Sequence, residues 1–431
     1  MSKRNLLLLF LLLCPFAGAR SADDVLKLYF KSIGIQQGLS HQMVNAIVKD
    51  PQGFIWIGTA EGLNRYDGTE FHVYRHEPGN PCSLSTSWIN CLYITRDGRL
   101  FIGTEKGVNV YNAQKENFER ISAENDSRNL LGNLRIRCFC EDSKGYLWIG
   151  TLDGLIRFDR RNGLINFYKL NHYDRDKMHN EVRSLCEDSA GRLWIGTFDG
   201  LYCRETESGV FKSVPLKKAP AEGNCLISGL HIQQEDPHTL YIAATGGLRV
   251  FDTETGGERH YHTANSGIAS NDVRDVTRYD AKHVLAATSS GLSVFDIPSG
   301  GFTNFANSIT DPVSLPTQIV RCLFQDDNGL VWLGTNYGVA CCNSHRRPID
   351  VHYINDTDAE GHTTRETITD IAVLPGEIWI GTNNGLMCYS PDMRLKRHFT
   401  TKNSLLPHNN IKRILTDRSG IMWIGTNNGV V

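Results

Sequence analysis

This 431-residue sequence has no surplus of either charge: 45 Lys and Arg stand against 47 Asp and Glu, a formal net charge of −2. A chain so balanced offers no broad cationic footprint for nucleic acid, and none is expected as a direct partner. It also lacks a second long apolar run. The first, Leu6 to Leu13, follows Lys3 and Arg4 and precedes Ala17-Gly18-Ala19. That is the order of a cleaved export signal over residues 1–19, and the run is too short to stay as a spanning helix. Cys14 invites lipid attachment, but Leu13 before it is bulky where such a site takes a small residue. The mature chain is therefore expected in the periplasm.

Catalytic signatures are missing as well. No Walker motif, HExxH or Ser-His-Asp order stands out, so the chain is not expected to be an enzyme. Eleven cysteines would remain after cleavage, an odd number that does not fit an evenly paired disulfide framework. Cys91, Cys138, Cys140, Cys186 and Cys322 fall in apolar strand slots. Cys138-x-Cys140 and Cys341-Cys342 have no histidine or second cysteine pair at zinc spacing. No metal and no cofactor is expected.

What the chain does have is repetition. The glycine of GFIWIGTAEGL at Gly62 recurs at Gly107, Gly154, Gly200, Gly247, Gly291, Gly338, Gly385 and Gly429, 44 to 47 residues apart. Six of the seven tryptophans, Trp56, Trp148, Trp194, Trp332, Trp379 and Trp423, stand six residues before that glycine. The first unit reads as strand a from Val44 to Val48, a turn at Asp50-Pro51-Gln52-Gly53, strand b from Phe54 to Thr59 and a reversal at Ala60-Glu61-Gly62. Strand c runs from Leu63 to Tyr66 and strand d from Phe71 to Tyr74. Four antiparallel strands per unit of this length is the blade of a β-propeller. A solenoid is the rival, and tryptophan in the second strand favours radial packing of blade on blade. The glycine phrase runs strand to strand with no following helix or lysine, so it is not a phosphate loop. Gly58 is expected to let neighbouring blades approach, with Ala243 and Ala287 in that slot in the fifth and sixth units.

Nine units exceed one ordinary ring. Leu28 to Ile33 reads as a lone strand d, and Asp350 to Ile354 reads as another, seven units later. The expected fold is thus all-β: a seven-bladed β-propeller of four-stranded antiparallel blades over 25–346, its last blade completed by the N-terminal strand. Residues 348–431 then hold the first one and a half blades of a second, truncated propeller, with Val431 inside a strand c and loose packing.

Function is expected on the long d–a loops, His76 to Trp88, Asn125 to Leu134, Asn171 to Asn180 and Lys217 to Ser228. Trp88, the tryptophan outside the repeat slot, could stack on a sugar ring or pack on a neighbouring loop. The second residue of strand a is Asn45, Asn90, Arg137, Arg183, Arg274 or Arg321. Four arginines around a channel mouth suit a carboxylate or sulfate. The competing account pairs each with acids of adjacent blades, such as Asp153 or Asp199, since a repeated slot usually has a repeated structural job. Tyr337 and the loop residue His179 complete the ligand candidates. Propeller sialidases carry turns superficially like Asp50 to Trp56, but the spacing differs by one residue, and their arginine triad and tyrosine nucleophile are not identifiable.

Val44, Ile47, Asp50, Gly53, Trp56, Gly58, Thr59, Gly62, Leu63, Tyr66 and Asp67, echoed over Val182 to Leu201, resemble the two-component regulator propeller repeat. The resemblance covers residues 38–431. It implies the exported sensor region of a hybrid two-component system, in which two seven-bladed propellers and a β-sandwich lead through a membrane helix to a histidine kinase. It further implies an oligosaccharide ligand, a homodimer in the full-length protein and a parent in the inner membrane. Units five and six depart from it at Tyr241 and Leu285 and lack the glycine; unit four ends strand c with Cys203-Arg204. Signalling output is not encoded here, and a propeller enzyme (lyase or glycosidase) or an interaction scaffold are the alternatives.

Overall fold

Each repeat becomes a meander of antiparallel strands, four in all but the last, because its polar residues close its turns. In blade 1, Asp50 Oδ1 accepts from the Gln52 and Phe54 backbone N–H groups, and Oδ2 accepts the Trp56 indole N–H at 2.7 Å. Asp142 and Asp188 hold Trp148 and Trp194 in the same way. At the b–c reversal, Thr59 Oγ1 donates to Gly62 O at 2.9 Å and accepts from Glu61 N–H. Eight of the nine units have this threonine bond; the fifth has Ala244 in its place. The turn proper is Ala60-Glu61, and Gly62 is the first residue of strand c, with φ +141°. A Cβ there would also lie 2.9 Å from Tyr74 O, so glycine is required twice over.

The computed structural model describes residues 26–170, 180–205, 209–217, 225–233, 236–311, 313–343, 354–357, 363–417 and 419–431. The export signal expected over 1–19, Cys14, His179, Asp350 to Tyr353 and parts of the loops at 171–180 and 217–228 lie outside them. The chain divides into two compact units, Met1–His345 and Arg346–Val431.

The first unit is a seven-bladed β-propeller. Blade 1 comprises Val44–Lys49, Ile55–Thr59, Gly62–Tyr66 and Phe71–Tyr74. Strand a of each following blade begins at Ile89, Ile136, Val182, Ile227, Val273 and Val320. Each strand a packs on that of the next blade, and that of blade 7 packs on that of blade 1, so the ring closes rather than continuing as a solenoid. Blade 7 takes its outer strand, Lys31–Ile33, from the N-terminus, paired with Gly338–Asn343. The core lies between blades. Trp56 packs with Leu92, Leu100 and Ile102 of blade 2, and Trp332 with Ile47 and Ile57 of blade 1. Gly58 faces the next blade, where a Cβ would meet Ile89 Cγ2 at 2.6 Å.

The second unit has a four-stranded sheet (Ile368–Leu374, Glu377–Thr382, Gly385–Tyr389, Leu395–Phe399) and a three-stranded one (Ile411–Thr416, Met422–Thr426, Gly429–Val430). These sheets repeat the blade pattern of the first unit and have apolar clusters of their own. Ile371 is 53% exposed and Trp423 48%, where their counterparts Ile47 and Trp56 are buried.

Candidate functional site

A single backbone irregularity, present in every blade, builds the site. The register between strands a and b shifts across the second residue of strand a: Val44 faces Thr59 and Ala46 faces Gly58, leaving Asn45 as an extra, unpaired residue. The same shift falls across Asn90, Arg137, Arg183, Ser228, Arg274 and Arg321. A β-bulge redirects its extra side chain out of the regular alternation. All seven bulged residues, one per blade, line one cavity of about 690 Å³ at the mouth of the central channel.

A second tier sits just before strand a. The first residue of each b–c turn donates its N–H to the carbonyl of that preceding residue: Ala60 to Met43, Glu105 to Trp88, Leu152 to Arg135, Phe198 to Glu181, Thr245 to Leu226, Ser289 to Asp272 and Asn336 to Ile319. Both sets of connections are thereby tied together on one face. Trp88, Arg135, Leu226 and Asp272 of this tier join the cavity lining. Trp88 is 40% exposed, the largest exposure of any tryptophan in the first unit.

Three of the four bulge arginines are paired with carboxylates, though not with the acids the sequence suggested. Glu181, 1% exposed, stands between Arg137 and Arg183, its Oε1 at 2.7 Å from one Nε and 3.3 Å from the other. Asp272 Oδ2 accepts from Arg274 Nη2 at 2.9 Å and Nε at 3.1 Å. Arg135 pairs with Glu105. Asp153 instead holds Lys169 at 3.2 Å, and among the described residues Asp199 makes no ion pair with the four arginines. The carboxylates that matter come from the tier beside the bulge. Arg321 has no carboxylate partner among the described residues: its Nε and Nη1 donate to Asn45 Oδ1 and Asn336 Oδ1 at 3.2 and 3.3 Å. Burial pulls the Arg137 and Arg321 guanidiniums below their usual range, and the neighbouring arginines add to it.

The structure thus brings Trp88, Arg137, Arg183, Arg274 and Arg321 to one cavity. Tyr337, 60% exposed in the b–c turn of blade 7, is not among its lining residues, and His179 is outside the described residues. Glu181 and Asp272 went unremarked in the sequence, although aligning the residue before each strand a with Trp88 would have found them. Among the described residues no group of three or more His, Cys, Asp or Glu could hold a metal ion, and no helix is long and apolar enough to cross a membrane.

The two component regulator propeller family model matches residues 38–61, 83–106, 129–153, 176–199, 314–337 and 405–428. Fifty-six residues are 43% identical to Histidine kinase P4 of Formosa agariphila, covering 13% of this chain and 4% of that one. Among solved structures the chain is similar to the extracellular domain of the one component system BT4673 from B. thetaiotaomicron, with TM-score 0.62 and 22% identity. That likeness covers 93% of this chain and 52% of the other. It is also similar to the extracellular domain of the hybrid two component system BT3049 from B. thetaiotaomicron, with TM-score 0.61 and 20% identity over 94% of this chain and 65% of the other. Virginiamycin B lyase from Staphylococcus aureus shares the fold at TM-score 0.55 and 12% identity, over 73% of this chain and 99% of the lyase. The chain spans half to two thirds of the two ectodomains, and all three structural likenesses show the fold alone.

Proposed function

From a chain that carries two-component regulator propeller repeats, we propose the extracytoplasmic, ligand-sensing part of a hybrid two-component sensor. Its ligand is an oligosaccharide, bound at the mouth of the first propeller. It is exported by its N-terminal signal and signals as a homodimer to a histidine kinase held in the inner membrane. One observation carries this reading: seven bulged side chains from seven blades converge on one cavity with an exposed tryptophan at its rim. A closed ring is a rigid frame, so the donors are pre-organised and little ordering entropy opposes binding. Tryptophan presents a flat apolar face with low conformational cost, suited to the C–H face of a sugar ring.

Calorimetric titration of the full chain against a panel of neutral and acidic oligosaccharides tests it. Saturable binding of at least one, weakened on changing Trp88 to Ala, is expected. Turnover of any of them, or no binding across the panel, overturns the sensor reading in favour of a propeller enzyme or an interaction scaffold.

A further inference from the structure

We infer that the group recognised at the mouth is an anion, a carboxylate or a sulfate carried on a saccharide ring. This deepens the reading of the mouth as the ligand site and rests on it. Four arginines reach the cavity by the bulge, Arg137, Arg183, Arg274 and Arg321, and two carboxylates, Glu181 and Asp272, answer them. With the Arg135–Glu105 pair of the same lining, five arginines face three carboxylates, a formal surplus of two positive charges, and Arg321 is the one with no carboxylate beside it among the described residues. The surplus is built in rather than adventitious. Arg321 is fixed by the amide oxygens of Asn45 and Asn336, which hold its guanidinium in place without neutralising it. Asn45 is itself fixed, its Nδ2 donating to Ile89 O at 2.8 Å. The Nη2 group of Arg321 makes no protein hydrogen bond among the described residues.

A further donor stands idle at the same cavity. Asn90 Nδ2 is buried with no acceptor among the described residues, while the Nε groups of Arg137 and Arg183 are held as ion pairs by Glu181 Oε1. Leaving partly buried cations and donors unanswered is costly. An oxyanion in the cavity would answer both, and the planar guanidinium fork matches carboxylate and sulfate oxygens. A neutral sugar could use the face of Trp88 but would leave the charge surplus in place.

The test is calorimetric titration of the full chain with three trisaccharides of equal length, one neutral, one containing a uronate and one sulfated, at low and high salt. At least one charged probe should bind about tenfold or more tighter than the neutral one, with affinity falling severalfold as salt rises. Whichever of the two binds tighter identifies the anion. Arg321→Gln, which keeps a polar side chain beside Asn45, should weaken the charged probe about tenfold and the neutral one severalfold less, and remove most of the salt dependence. Arg274→Gln and the wild-type salt dependence serve if that variant does not fold. Equal binding of neutral and charged probes, or charged binding indifferent to salt, overturns the anion inference and leaves the saccharide reading standing. Binding of none of the three overturns both.

Discussion

Asp142 closes a turn with one carboxylate oxygen and holds the Trp148 indole with the other. Asp142→Ala should therefore cost about 3 kcal/mol, since it strands a buried indole N–H as well as the turn amides. In blade 7 the Trp332 indole nitrogen is buried without a partner among the described residues, and Asp326 serves the turn and a loose ion pair with Lys49 at 3.9 Å instead of an indole. Asp326→Ala should cost roughly half as much, and urea denaturation of both variants measures the difference. Gly150 faces Cys138 Sγ and lies where a Cβ would be 2.8 Å from Val182 Cγ1 in the next blade, so Gly150→Ala should destabilise by about 2–3 kcal/mol. Blade 5 shows the complementary solution, with Ala243 on strand b opposite Gly229 on strand a. Adding Cys138→Gly to Gly150→Ala should recover part of the loss.

Asp275 occupies that small-residue slot in blade 6, where burial raises its carboxyl to about 6 against the pull of the Leu323 and Val276 amides. Its folded value lies above the unfolded one, near 3.9. Its stabilisation is therefore complete below about pH 4 and is lost as pH rises to about 6. Burial, then Arg278, lowers His231 to about 4. A neutral buried histidine loses stability in the opposite direction, as pH falls from about 6.5 toward 4. The two slopes oppose each other in one window. Asp275→Asn should leave only the histidine slope, so the variant grows less stable toward pH 4 while matching or exceeding wild type at pH 7 by about 1–2 kcal/mol. Thermal denaturation across pH 4–7 reads both effects.

At the scale of the strand, the sequence was legible wherever one residue type does one local job. Asp, Gly, Trp and Gly at fixed spacing mark turns and blade contacts, and the strands they imply agree with those found to within about a residue. The eighth unit, which the family model leaves unmatched, has a shorter a–b turn at Pro375-Gly376, and its Trp379 indole turns to Glu377 instead of a turn aspartate. The bulge was not legible. One extra residue in strand a leaves the apolar first and fourth positions intact, so Val44 and Ile47 read as an ordinary strand while Asn45 is redirected. The arginine slot and its place around the channel mouth were visible for that reason, but the backbone device that turns the side chains there was not. Its carboxylate partners come from the neighbouring tier, which no strand pattern singles out. The closing strand carries its own prediction. Ile33 is buried in the cluster that holds Trp332, with Phe30 and Leu28 buried nearby. Removing residues 26–33 would expose these cores and the edge of Gly338–Asn343, lowering Tm by roughly 10 °C. Ile33→Ala alone should cost about 2–4 kcal/mol, and calorimetric melting distinguishes the two.

As a whole molecule, the first propeller is a rigid ring whose regularity puts one side chain from each blade at the same mouth. Variation among those seven positions, two asparagines, one serine and four arginines, is where specificity can be written without disturbing the blades. Trp88 is the exposed tryptophan of that ring, its four repeat-slot tryptophans being buried. Its emission should therefore report the mouth directly. The decisive measurement is fluorescence titration of the full chain with the tightest-binding oligosaccharide of the panel, in wild type and in Trp88→Phe. A saturable change in wild-type emission that is absent in Trp88→Phe, together with an affinity about tenfold weaker on changing Arg321 to Gln, is the predicted result. Binding at full affinity in both variants, with wild-type emission unmoved, would contradict a ligand site at the mouth of the first propeller.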